Sequence, residues 1–149
     1  MESVSTSDAI LYNSSRHGDI EGVIAALAQG GRVTVSLNGY TPLLAAAGEG
    51  HTDICGLLLA HGSNVNEVMP HTKLTALNLA ASRGHNASVE ALLSWGAEVN
   101  SQSHAGATPL IMACQNGHLI CTLTMLKAGA NLTLPDNQGA LPIHVAARR

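Results

Sequence analysis

The sequence predicts an all-α solenoid built from helix–turn–helix units joined by short β-hairpin-like fingers, and three observations predict it. Thr41-Pro42-Leu43-Leu44 is echoed by Thr75-Ala76-Leu77-Asn78, Thr108-Pro109-Leu110-Ile111 and Leu141-Pro142-Ile143-His144, at steps of 33 or 34 residues. Two further landmarks keep the same period: Gly50-His51, Gly84-His85 and Gly117-His118, then Gly62-Ser63, Gly96-Ala97 and Gly129-Ala130. Finally, 46% of the 149 residues are apolar, but only 2% are aromatic and none is Phe. A sandwich or barrel fills its core with large rings. Ala and Leu suit thin helices stacked closely.

Each unit can be justified in chain order. The first, about residues 8–35 behind a short tail at 1–7, is degenerate: Gly18-Asp19 and Gly30 keep the landmarks, while the polar stretch Tyr12, Asn13, Ser14 and Ser15 replaces most of the motif. That is what a capping unit needs. The second, about 36–68, sets Thr41 ahead of Pro42, a capping hydroxyl before a proline at the first helical position. Leu43, Ala46 and Ala47 form a helical stripe, which Gly50 ends in a left-handed turn. Ile54, Cys55, Leu58 and Leu59 make the stripe of a second helix that Gly62 stops. Neither helix buries its apolar face alone, so the units must stack.

The third unit, about 69–102, departs from the pattern. Its finger is one residue longer than the next, Lys73 replaces the glycine found at Gly39, Gly106 and Gly139, and Ala76 replaces proline. A different tight turn is expected there. The fourth, about 103–135, is regular. A partial fifth, 136–149, carries Pro142 and ends at Arg149 inside its first helix, where one-sided packing is expected to leave Leu119, Leu123 and Leu126 partly uncovered. Helix pairs are therefore expected at about 8–28, 41–60, 75–95 and 108–128, with a lone helix from Pro142.

Other function classes find little support. A net charge of −3 and 11% charged residues offer no basic footprint for nucleic acid. No apolar run nears the roughly 18 residues of a membrane span, and no secretory signal opens the chain. Cys55, Cys114 and Cys121 fall at buried helical positions and read as free thiols, which points to an intracellular, cytoplasmic setting. The sequons at Asn13, Asn86 and Asn131 are then silent. His51, His85 and His118 recur once per unit, about 10 Å apart if helices stack. Zinc ligands must lie about 2 Å from one ion, so no metal or other cofactor is expected. No nucleophile elbow, phosphate loop or carboxylate pair is present. Neither an enzyme nor a small-molecule substrate is expected.

The pattern resembles the ankyrin repeat, whose motif reads Gly-x-Thr-Pro-Leu-His-x-Ala-Ala, then Gly-His, then Leu-Leu-x-x-Gly-Ala. Residues 40–66 and 105–130 carry it most cleanly. The resemblance implies a protein–protein interaction module, a scaffold or adaptor, that binds a protein partner through its concave face and finger tips. The alternative is a regulatory or targeting domain of a larger enzyme, channel or ubiquitin-ligase adaptor. Carried over by motif, the partner-binding positions are Leu37, Asn38, Tyr40 and Glu49, then His71, Thr72, Leu74, Ser82 and Arg83, then His104, Ala107, Gln115 and Asn116. Tyr40 and Arg83 are the expected anchors. The family also implies that His51, His85 and His118 hold turns by hydrogen bonding. Asn66 and Asn100, each eight residues after a leucine, are similar to substrates of an intracellular asparaginyl hydroxylase; finger asparagines also satisfy turn backbone.

Overall fold

A computed structural model describes residues 3–148. The helices come in pairs: α1 (Thr6–His17) with α2 (Ile20–Ala28), α3 (Pro42–Glu49) with α4 (Thr52–Ala60), α5 (Ala76–Arg83) with α6 (Asn86–Ser94) and α7 (Pro109–Gln115) with α8 (Leu119–Lys127). The short α9 (Pro142–Ala146) follows. Odd-numbered helices pack in one row, α1 on α3 on α5 on α7 on α9, and even-numbered helices in a second row behind them. Each paired helix therefore buries one side against its partner and another against the neighbouring repeats, while α9 packs on α7.

The expected start and stop signals operate as chemistry. Thr41, Thr75 and Thr108 sit in extended backbone, and their hydroxyls accept from the amides of Leu44, Asn78 and Ile111 at 3.4, 3.2 and 3.2 Å. Gly18, Gly50 and Gly84 close the odd helices in the left-handed region, with φ of 80°, 80° and 77°. The stripe positions become the core: Leu43, Leu44, Ala46, Ala47, Cys55, Leu58, Leu77, Ala80, Ala81, Val89, Leu92, Leu110 and Ile111 are all at most 1% exposed. Each buried leucine or isoleucine contributes roughly 1.5–3 kcal/mol. Cys55, Cys114 and Cys121 are free and buried, and burial pushes the Cys55 thiol up to about 12.

Helix α1 begins two residues before the expected start at about 8. Ser5 caps α1, its hydroxyl accepting from the Asp8 amide while the Asp8 carboxylate accepts from the Ser5 amide, so Thr6 and Ser7 join the helix. Asp8 is buried and takes a second set of donors from 24 residues away, the Arg32 amide at 2.8 Å and guanidinium at 2.6 Å. This pair ties the start of α1 to the loop that leaves α2. The Arg32 guanidinium holds the Asp8 carboxyl well below the usual carboxylate range.

Three kinds of finger turn replace a single repeated one. Leu37 and Tyr40 pair across Asn38 (φ 54°) and Gly39 (φ 83°), a two-residue turn with both central residues left-handed. Ser103–Ala107 and Asp136–Ala140 close three-residue loops on Gly106 and Gly139. Met69–Leu74 closes a four-residue loop, as its extra length requires. Lys73 nonetheless adopts the same left-handed backbone as the glycines it replaces (φ 57°), so the expected difference lies in loop length and not in the conformation at that position.

Candidate functional site

The fingers and odd helices present the surface on which the motif places partner contacts. Asn38 and Tyr40 on the second finger, Glu49 at the end of α3 and Arg83 at the end of α5 converge on one cleft of about 190 Å³. Tyr12 and Arg16 on α1 complete its other wall, and Leu44, Ala45, Gly48 and Leu79 form the floor. Gly48 stands where the next two repeats carry Ser82 and Gln115, and a Cβ there would lie 3.8 Å from Leu79 and 3.9 Å from Arg83 Nη1. Tyr12 and Arg16 lie in the degenerate first unit, where no motif match could nominate them.

The histidines hold the stack together. The Nε2 of His51, His85 and His118 lies 3.0, 3.2 and 3.0 Å from the carbonyl oxygens of Arg16, Gly48 and Ser82. Each ring thus reaches back one repeat, to the carbonyl two residues before the preceding turn glycine. In the first unit Asp19 holds the equivalent position and instead caps its own helix, its carboxylate accepting from the Gly22 amide at 3.0 Å. Among the described residues no group of three or more His, Cys, Asp and Glu converges as metal ligands would.

The residue just before each turn glycine divides by hydrogen-bond chemistry. Arg83 Nη1 donates to the Gly48 carbonyl at 2.8 Å and Asn116 Nδ2 to the Ser82 carbonyl at 2.8 Å, so both reinforce the histidine of their own repeat. Glu49 has no proton to give to the Arg16 carbonyl. It turns to Arg83 instead, accepting at 2.9 Å across two half-exposed side chains. Arg83 foremost, with the charges of Arg16 and His51, holds the Glu49 carboxyl below its ordinary value.

The other motif-derived positions fall elsewhere. His71 and Thr72 are exposed on the third finger, and the Thr72 carbonyl accepts the His104 amide of the fourth at 2.8 Å. Leu37 and Leu74 are half-buried, with Leu74 packed on the core. Ala107 is buried and offers a partner little surface. Gln115 lines a separate hollow with Asp136, Val145 and Arg148. Asn66 and Asn100 act as staples: their Oδ1 atoms accept the amides of Glu98 and Asn131 in the next finger, each at 2.8 Å. Leu119, Leu123 and Leu126 are 67%, 49% and 37% exposed on α8, joined by Ile120. No described helix is long and apolar enough to cross a membrane.

A family model for ankyrin repeats in three copies matches residues 11–103, and a second, for ankyrin repeats in many copies, matches residues 92–146. A search of curated proteins returns no match.

Proposed function

Because the chain belongs to the ankyrin-repeat family, whose repeats are generally protein-interaction modules and typically not enzymes, we propose that it binds a protein partner through the cleft between the second finger and helices α1, α3 and α5. The single observation that carries this is the convergence of Arg16, Tyr40 and Arg83 on one concave opening, with the buried Tyr12 behind them. Tyr and Arg are enriched among the residues whose truncation costs about 2 kcal/mol or more in interfaces. The core repeats from unit to unit while these positions change, which separates scaffold from reading surface. Asn66 and Asn100 enter the same proposal as hydroxylation sites, since both stand on accessible fingers in equivalent settings.

The test is affinity capture followed by binding measurements on point variants. Tyr40→Ala combined with Arg83→Ala should weaken the partner. Trp95→Ala, at the end of the second-row helix α6, should leave binding unchanged. The converse result would move the interface to the back of the stack. Intact-protein mass spectrometry after coexpression with an asparaginyl hydroxylase reads the modification as the gain of one oxygen per site.

A further inference from the structure

The chemistry of the cleft is lopsided toward donors. Arg16 makes no side-chain hydrogen bond among the described residues, and neither do the hydroxyls of Tyr12 and Tyr40 or the amide of Asn38. Arg83 spends one nitrogen, Nη1, on Gly48 and Glu49. A guanidinium carries five N–H donors in a planar fork, so most of the donor capacity of both arginines is open. Glu49 is the one carboxylate of the cleft, and Arg83 already holds it. Two cations against one anion make the cleft positive, on a chain whose formal net charge is −3. Between the polar walls lie Leu44, Ala45 and Leu79, core residues that show little surface, so the side chains a partner meets are mainly the polar ones.

We infer that this cleft receives an extended acidic peptide, with a Glu or Asp carboxylate held by Arg16 beside Arg83. The inference rests on the proposed use of the cleft for partner binding and adds the chemical class of the partner. Three features favour an acidic segment over a neutral or basic one. Unsatisfied donors are best matched by an ion that only accepts, and charge-assisted bonds to guanidinium are about twice as strong as neutral ones. The surplus positive charge lines one cleft, and a cleft lined by one sign of charge focuses the field on an incoming ion. Glu49 itself shows that a carboxylate fits beside Arg83. It stands as an internal competitor that an incoming carboxylate displaces or shares.

An array of short synthetic peptides graded in charge tests this directly, with acidic, neutral, basic and phosphoserine-bearing members on one aliphatic frame. The labelled full chain should bind acidic members, more weakly as salt rises. Arg16→Ala should reduce that binding by about tenfold or more, and Arg16→Lys by less, because a point charge replaces the fork. Since the Arg16 side chain bonds nothing in the fold, its loss leaves folding intact. Glu49→Gln should tighten acidic peptides by removing the competitor. No signal, no preference by charge, capture of phosphoserine members alone, or indifference to Arg16→Ala would overturn the inference. If neutral peptides bind equally and Tyr40→Ala abolishes them, the cleft remains the interface and only the acidic specificity falls. If binding survives both Arg16→Ala and Tyr40→Ala, the cleft proposal falls too.

Discussion

The imidazole of His85 lies over Gly50 of the preceding repeat, so closely that a Cβ built on Gly50 would stand 2.6 Å from its Nδ1. His51 covers Gly18 and His118 covers Gly84 in the same way, at 2.7 and 2.5 Å. The recurring Gly-His pair is thus an inter-repeat contact: the glycine of one unit is matched to the histidine of the next.

This separates two costs that alanine at a turn glycine would incur. Gly50, Gly84 and Gly129 all have positive φ, but Gly129 faces open space. Gly129→Ala should therefore lose only the left-handed strain, about 1–2 kcal/mol. Gly50→Ala and Gly84→Ala should lose a further ~1–3 kcal/mol as the ring is displaced and its hydrogen bond broken. Urea unfolding measures all three. Equal losses would show that the ring moves aside freely.

Lys73 offers the opposite change. It is held at φ 57° in the longer, four-residue loop of the third finger. Lys73→Gly should stabilise the fold by about 0.5–1 kcal/mol, the strain relieved less the extra freedom of the unfolded chain. A loss on thermal unfolding would mean that the lysine side chain stabilises the loop.

Asp8 gives a pH signature with a definite sign. Its carboxyl is depressed by Arg32 first and by backbone amides next. A depressed folded value means that its contribution is complete above the unfolded value of about 3.9. That contribution drains away as pH falls below it toward the folded value. Melting temperature should thus drop on acidification from about pH 4 to pH 2, and Asp8→Asn should be less stable at pH 7 with a flatter profile over that window. Carboxyl NMR should find Asp8 still ionised at about pH 3. Titration in the ordinary range would remove the ion pair from the account.

Asn66 and Asn100 join successive fingers through their side-chain carbonyls. Replacing either with Ala should cost roughly 0.5–1.5 kcal/mol, the net worth of one hydrogen bond. Because the Cβ hydrogens are not used in the staple, a hydroxylated chain should melt no lower than the unmodified one. A large drop on modification would show that the finger must open to accept the oxygen.

The far end of the stack should be its weakest part. The five-residue α9 packs on α7, and Leu119, Ile120 and Leu123 of α8 are largely exposed. Amides of α9 should exchange fastest among the helices. Leu123→Lys should reduce any self-association without loss of stability, since the position is already half in water. Protection in α9 equal to that in α5 would contradict one-sided packing.

What the sequence determined by itself is everything that repeats. Period, capping threonines, turn glycines and apolar stripes each act within one unit or between identical neighbours, so one-dimensional spacing already encodes them. The tertiary structure decided whatever depends on a partner in another unit. Asp19 and His51 share a register position, yet one caps its own helix and the other reaches back a repeat. Glu49, Arg83 and Asn116 also share one, and whether each can donate a proton to the carbonyl behind it sets its role. Tyr12 and Arg16 join the cleft only because α1 stacks on α3. Short-range periodicity fixes where helices begin and end. The direction in which a polar side chain turns is settled by the donors and acceptors that packing brings to it, and those belong to other repeats.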